Sequence, residues 1–257
     1  DHTAAREFYI KFVKSWLYDS AERGGVSAAT LQEINTQFDE VNFFQFCQRL
    51  GYPKLAREPK NPLLILADLK LSIYVTTSYD YFVEMALIEA GKSPRSMIYP
   101  WRKGLEARPF YFDEQSKLIW DPGYQPNKDQ PLVYHLHGFY EYPSSLVLSE
   151  DDHLEFLIAI SRFNNTNSDP MPSYLRTALS SSSLLLLGYK LRNWDFRSLF
   201  WGLIKSDIER DYKNICVQLE RDDVDEQYLK KYLARANFDI YIGNVYKYSR
   251  ELWDLLN

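Results

Sequence analysis

The sequence of 257 residues contains only two cysteines, Cys47 and Cys216, and ten glycines. Two cysteines cannot form a disulfide framework or a zinc site with four thiolate ligands. Basic residues are not in excess, because 30 Lys and Arg stand against 35 Asp and Glu and give a net charge of −5. This charge argues against direct nucleic-acid binding through bulk positive charge. No apolar run approaches the roughly 20 residues that cross a bilayer, so we expect no membrane partner.

Aromatic residues, in contrast, are abundant. The chain has 20 Tyr, 15 Phe and 6 Trp, and hydrophobic residues make up 46% of it. This composition is typical of a folded domain with a sizeable core. Some of the aromatic side chains are expected either to line a surface for self-association or to lie singly in solvent.

The chain divides into a helical part and a part in which strands and helices alternate. Apolar residues between 6 and 18, including Phe8, Phe12 and Trp16, recur at spacings of three and four, and predict an amphipathic helix. Further helices are predicted over residues 28–38 and 42–50. We therefore assign residues 1–66 to an N-terminal helical part and residues 67–257 to an α/β core.

The second part predicts an α/β fold. Apolar strands are expected at residues 72–77, 132–136, 183–187, 215–219 and 238–242, with a hairpin between residues 109–112 and 117–120. Helices are expected between most of these strands, at residues 81–89, 149–161, 175–179, 195–206, 226–236 and 246–256. Because the strands are continuously apolar, they predict a mostly parallel sheet that helices cover on both faces.

Small, polar or ionisable residues follow several of these strands. They are found at residues 77–80, 137–138, 188–189 and 243–244. In a doubly wound sheet, ligands bind beyond the carboxyl ends of the strands. The position of these residues therefore predicts a ligand site, although the Gly-x-Gly-x-x-Gly fingerprint of dinucleotide-binding proteins is absent from the sequence.

His137 and Asp80 are the ionisable candidates in this set. Gly138 after His137 would let a ligand approach the backbone while the imidazole faces a cleft, and the alternative is a histidine that only holds a loop. His135 would share a face with His137 if the strand continues, but no cluster of acidic or cysteine ligands accompanies this pair, so we expect no metal. Asp80 either orients a ribose or caps the helix that follows it.

Four segments in this order resemble the sirtuin-like domain of bacterial NAD-hydrolysing antiphage defence proteins. They are residues 75–80 (VTTSYD), 134–138 (YHLHG), 145–152 (SLVLSEDD) and 187–197 (LGYKLRNWDFR). The resemblance begins near Ala67 and extends to the end of the chain. It implies a Rossmann-like fold without a zinc module, which binds NAD as a substrate at the strand ends.

The resemblance also implies roles for individual residues. The catalytic positions would be His137, Asp80 and Ser78, with Ser78 at the place of an Asn in the family motif Thr-Thr-Asn-Tyr-Asp. The implied NAD-binding residues are Thr76, Thr77, Tyr79, Gly138, Gly188, Tyr189, Asn193, Gly243 and Asn244. Related sirtuins that deacylate lysine carry a four-cysteine zinc module, so this chain is expected to release nicotinamide from NAD rather than to deacylate proteins.

Two departures from the family pattern qualify this expectation. The opening strand with its Gly-Ala-Gly-x-Ser phosphate loop does not precede Ala67, so we expect the chain to begin inside a longer polypeptide, with further domains or subunits. Ser78 is shorter than Asn and cannot hold a water and a ribose hydroxyl in the same geometry. The alternative function is therefore a nucleotide-binding or oligomerisation module with weakened or lost catalysis. In either case, the resemblance implies a cytoplasmic, oligomeric bacterial protein.

Overall fold

The computed structural model describes residues 2–57, 61–161, 171–189, 215–219 and 238–256. The helices in these ranges are α1 (His2–Arg23), α2 (Ala28–Thr36), α3 (Phe43–Arg49), α4 (Pro62–Asp68), α5 (Phe82–Glu89), α6 (Glu150–Ser161), α7 (Ser173–Ser181) and α8 (Val245–Leu256). The strands are β1 (Ile73–Thr76), β2 (Arg95–Ile98), β3 (Phe110–Phe112), β4 (Leu118–Trp120), β5 (Leu132–His135), β6 (Leu184–Tyr189), β7 (Ile215–Leu219) and β8 (Phe238–Ile242). The helices expected at residues 195–206 and 226–236 lie outside the described residues.

Helices α1 to α3 pack around a small core that also includes Tyr140 and Leu146 of the α/β part. Glycine at residue 25 adopts a φ of +82° directly after α1, a conformation that ends the helix and suits glycine. The Ser27 side chain then caps α2 by accepting a hydrogen bond from the backbone N–H of Thr30. Leu17, Ile34 and further apolar residues of the three helices pack together.

The prediction that α1 is amphipathic, with one apolar face, was wrong. Leu17 and Ala21 are buried, but Phe8, Phe12 and Trp16 are exposed on a different side of the same helix. The apolar residues form two separate rows, one exposed and one buried. A spacing of four within a row shows that its members share a side of the helix, but it does not show which side faces the core.

The strands form two sheets. The first has the order β1-β5-β2-β3-β4, in which β5 lies parallel to both β1 and β2, whereas β3 and β4 add an antiparallel hairpin. The second has the order β6-β7-β8 and is parallel throughout. The mostly parallel arrangement and the hairpin are confirmed. Strand β2 was not predicted, because it has four residues and lies between prolines 94 and 100.

Helices cover both faces of the first sheet. On one face, Tyr134 packs with Phe156 of α6 and Leu175 of α7. On the other, Val133 packs with Leu64 of α4 and Leu87 of α5. Alternate residues of β5 therefore enter different cores, as expected for a central strand that is buried on both sides. Among the described residues, no helix combines the length and apolar character needed to span a membrane.

Candidate functional site

The carboxyl ends of β1 and β5 bring two polar segments together. Thr76 and His135 are paired residues in the parallel ladder, and the N–H of Leu136 donates to the carbonyl of Thr76 at 2.9 Å. Farther along, the N–H of Tyr140 donates to the carbonyl of Tyr79 at 3.0 Å. The turn at residues 76–80 and the segment at residues 135–140 therefore lie side by side at one edge of the sheet.

Local hydrogen bonds fix the shape of the first turn. The Thr76 hydroxyl accepts from the backbone N–H of Ser78 at 3.0 Å, and Asp80 Oδ1 accepts from the N–H of Phe82 at 3.1 Å. Asp80 thus satisfies one of the free N–H groups of α5, as expected of a capping residue, although the N-cap position itself is Tyr81. The hydrogen bond uses one of the two carboxylate oxygens of Asp80. Ser78 is exposed and Thr77 is half-buried.

His135 joins this turn to α5 and β2 through a buried ion pair. Its Nδ1 donates to the carbonyl of Ser78 at 3.2 Å, and its Nε2 lies 2.7 Å from Oε1 of Glu84. The same oxygen of Glu84 accepts from the hydroxyl of Ser96. Since both ring nitrogens face acceptors, the imidazole has a proton on each and is positively charged. Burial alone lowers the pKa of His135, but Glu84 and the Ser78 carbonyl outweigh it and raise the pKa above its usual value.

His137 lies on the other side of the segment. Its ring packs edge-on against Phe156 at 4.8 Å and lies 5.9 Å from the ring of His153, both on α6. Only 2% of His137 is exposed. The expectation that His135 and His137 share a face was wrong, because β5 ends at His135 and the alternation of a strand ends with it.

Gly138 is required by packing within the protein. Its φ is +93°, and a Cβ at this position would lie 2.2 Å from the carbonyl oxygen of Ser145. The hydroxyl of Ser145 in turn accepts from the N–H of Phe139 at 2.9 Å. From the sequence, Gly138 was expected to let a ligand approach the backbone. In the part of the chain that the structure describes, the group close to Gly138 is Ser145.

Two half-buried carboxyl groups at the site have raised pKa values. Burial raises the pKa of Asp80 to about 6, although the Phe82 N–H and the His135 charge act in the opposite direction. Burial also raises the pKa of Glu141 to about 7, against the lowering effect of the hydrogen bond that Glu141 accepts from the N–H of Phe44 at 2.6 Å. Both groups therefore exchange protons near neutral pH, which is a property found often at functional sites.

The N-terminal helices pack directly on this turn. The Tyr79 hydroxyl donates to the carbonyl of Val147 at 2.6 Å, and its ring lies 5.6 Å from that of Tyr140. Tyr140 in turn stacks on Tyr9 of α1 and contacts Phe43 of α3. The helical part thus forms one wall behind the candidate site.

The remaining candidates belong to the second sheet. Gly188 and Tyr189 end β6, and Gly243 and Asn244 follow β8, so the two pairs share the carboxyl edge of that parallel sheet. Gly188 has a φ of +76°, and no atom of the described residues lies within 4 Å of the place where a Cβ would be. Asn244 Oδ1 accepts from the N–H of Tyr246 at 2.7 Å in the first turn of α8. Asn193 lies outside the described residues.

Glu84, Ser96 and Glu141 were not predicted from the sequence. Glu84 had a readable signal, because it follows Asp80 by four residues and is an acid with apolar residues directly before and after it in α5. Within the described ranges, no group of three His, Cys, Asp or Glu side chains is arranged to hold a metal ion.

Parallel strands with polar turns at their carboxyl ends and helices on both faces define the class of α/β proteins to which nucleotide-binding domains of the Rossmann type belong. A family model described as SIR2-like domain matches residues 72–241, which is more than half of the chain. The chain belongs to this SIR2-like family. A comparison with curated proteins gives no significant match.

Proposed function

We propose that the protein hydrolyses NAD by cleaving the bond between nicotinamide and ribose. The observation that supports this most is the hydrogen-bonded meeting of the turn at 76–80 with the segment at 135–140 in a SIR2-like domain. The motif resemblance also implies that NAD is the substrate. A carboxyl group with a pKa of about 6 at this edge of the sheet provides a group that can be ionised at neutral pH.

In the proposed reaction, nicotinamide leaves as a neutral molecule while positive charge develops on the ribose. Water attacks the ribose carbon and loses a proton, for which His137 is the proposed general base. The Asp80 carboxylate orients the ribose hydroxyls, and Ser78 occupies the position that holds the water. Thr76, Thr77, Tyr79 and Gly138, together with Gly188, Tyr189, Asn193, Gly243 and Asn244, are proposed to line the NAD site.

The wider role proposed is that of a cytoplasmic effector in bacterial antiphage defence, acting as an oligomer with domains or subunits outside this chain. It is supported by the motif resemblance alone. Expression of the protein in bacteria that are then infected with phage tests this role directly. Infection should lower cellular NAD and restrict phage growth, and an Asp80→Asn variant should do neither. If cellular NAD stays constant while phage growth is restricted, the effector role by NAD depletion is wrong.

The reaction itself is tested by measuring nicotinamide release from NAD by the full-length protein. Ser78→Asn should raise turnover on the order of 100-fold by restoring a positioning contact. His137→Ala and Asp80→Asn should abolish turnover. Asp151→Asn is the matched control for Asp80→Asn, because Asp151 is an exposed acid in the first turn of α6, and it should leave turnover unchanged.

A second function, nucleotide binding without catalysis, is favoured by two observations. Ser78 replaces the family Asn, and only 2% of the His137 side chain is exposed. If NAD binds with measurable heat while neither the natural chain nor Ser78→Asn releases nicotinamide, the protein is such a binding module. If NAD neither binds nor reacts, both proposed functions are wrong.

A further inference from the structure

Helix α1 has an apolar row that the described part of the chain leaves in solvent. Phe8, Phe12 and Trp16 are 74%, 59% and 57% exposed. They are four residues apart, so they lie one above another on successive turns. Leu17 and Ala21, on the opposite side, are buried in the core. A helix that is apolar on both sides is normally buried on both sides, which points to a second surface that covers this row.

A charged row runs beside the aromatic one. Glu7, Lys11, Ser15, Asp19 and Arg23 also repeat every four residues, and all five are exposed. Because an α-helix has about 3.6 residues per turn, this row winds around α1, and only its middle part, from Lys11 to Asp19, faces one side. Lys11 and Asp19 carry opposite charges and lie one turn before and one turn after Ser15. The middle of the row is therefore complementary to a second, antiparallel copy of itself.

The size of the aromatic row fits a contact between two copies. At their observed exposures, the three side chains offer about 400 Å² of surface. A standard interface takes about 800 Å² from each partner, so these side chains supply about half of it. The long side chains of the flanking row add further area through their methylene groups.

We propose that α1 is a self-association surface through which two copies of this chain pair antiparallel. A two-fold axis beside Ser15 would place Lys11 of one copy opposite Asp19 of the other. This pair occurs twice in such a symmetric interface. Lys11 already pairs with Asp39 in its own chain, but both side chains are more than half exposed. An exposed pair of this kind contributes little free energy, so Lys11 is available to a partner.

The first test measures the dissociation constant of the dimer by sedimentation of the full chain over a range of concentrations. Phe12→Ser should weaken dimerisation about thirtyfold. The matched control is Leu154→Ser on α6, because Leu154 is 58% exposed and Phe12 is 59% exposed. A chain that is monomeric at every concentration overturns the proposal. A dimer that the two variants weaken equally, or that Phe12→Ser does not weaken, also overturns it.

The second test is an exchange of charges that distinguishes the antiparallel pairing from other contacts. Lys11→Glu and Asp19→Lys each place like charges opposite one another, and each should weaken its own dimer about tenfold. In an equimolar mixture, the two variants should pair with one another at nearly the natural affinity, because both contacts are restored. Asp39→Ala controls for the lost intrachain pair and should leave the dimer intact.

A mixture that associates no better than either variant alone overturns the antiparallel arrangement. These measurements do not require NAD or turnover. Their outcome is therefore independent of the proposed reaction.

Discussion

The imidazole of His135 and the carboxylate of Glu84 form an ion pair at 2.7 Å with no exposed surface on either side chain. This pair joins the end of β5 to α5. Through the second ring nitrogen of His135, it also holds the carbonyl of Ser78. Ser78, which is proposed to position water, is thus one hydrogen bond away from His135, whose side chain is buried in the core. The geometry of the candidate site depends on a charged pair that does not itself reach solvent.

Glu84→Gln is expected to lower the free energy of unfolding by about 3 kcal/mol, because it leaves a buried imidazolium without its counter-charge. Urea unfolding of the two proteins measures the difference. Glu89→Gln is the control, since Glu89 lies on the same helix but pairs with Arg57 in solvent, and it should cost less than about 0.5 kcal/mol. Equal losses for the two variants would show that His135 does not depend on Glu84 for its charge.

Stability is expected to fall as pH rises from about 4 to about 8. The pKa values of Asp80 and Glu141 are raised to about 6 and about 7, and the pKa of His135 is also raised. The folded state therefore binds protons more tightly than the unfolded chain, and this stabilisation is lost as pH rises through the folded pKa values. Asp80 and Glu141 should each contribute about 2 kcal/mol to the loss.

Urea unfolding between about pH 4 and about pH 8 measures this loss. Asp80→Asn and Glu141→Gln should each make the dependence on pH shallower. A natural protein that becomes more stable over this interval would contradict the prediction. So would a dependence on pH that neither variant changes.

The pattern of apolar residues was sufficient to predict the strands other than β2, but not the contacts at their ends. Strands β7 and β8 begin and end where the sequence placed them, because a continuous apolar run has clear limits. His135 and His137 were expected to share a face if the strand continued, and the end of β5 at His135 is not visible in the sequence. Glu84 and His135 are 51 residues apart, and only the topology of the sheet brings them together.

Gly138→Ala is expected to destabilise the fold by about 3 kcal/mol, through backbone strain and through the collision of its Cβ with the Ser145 carbonyl. Gly91→Ala separates the two causes. Gly91 also has a positive φ, of +78°, but open space where its Cβ would be, so its replacement should cost only about 1 kcal/mol. The measurement is thermal or urea unfolding of the two variants. Equal losses of stability in the two variants would show that the collision at Gly138 is relieved without a cost in free energy. The close approach of the residue 138 backbone to Ser145 would then not be needed by the fold.

A buried ion pair between Arg6 and Asp152 connects the N-terminal helix α1 to α6. Both side chains are buried, and Arg6 also donates through Nε to the carbonyl of Leu146 at 3.2 Å. The other oxygen of Asp152 accepts from the N–H groups of Leu148 and Ser149. Both members of the ion pair therefore bind the segment before α6, because Arg6 donates to Leu146 and Asp152 accepts from Leu148 and Ser149.

Arg6→Ala should lower the free energy of unfolding by about 3 kcal/mol, because it leaves the Asp152 carboxylate buried without its closest partner. Arg108→Ala removes an arginine from an ion pair in which both side chains are about 60% exposed, and it should have little effect. Circular dichroism of the helices and tryptophan fluorescence should report a single transition for the natural protein, since α1 is tied to α6 through this pair. If α1 melts separately while Arg6→Ala leaves the remaining transition unchanged, then the buried pair does not couple the helical part to the α/β core. The wall that Tyr9 and Phe43 form behind Tyr140 would in that case not contribute to the stability of the candidate site.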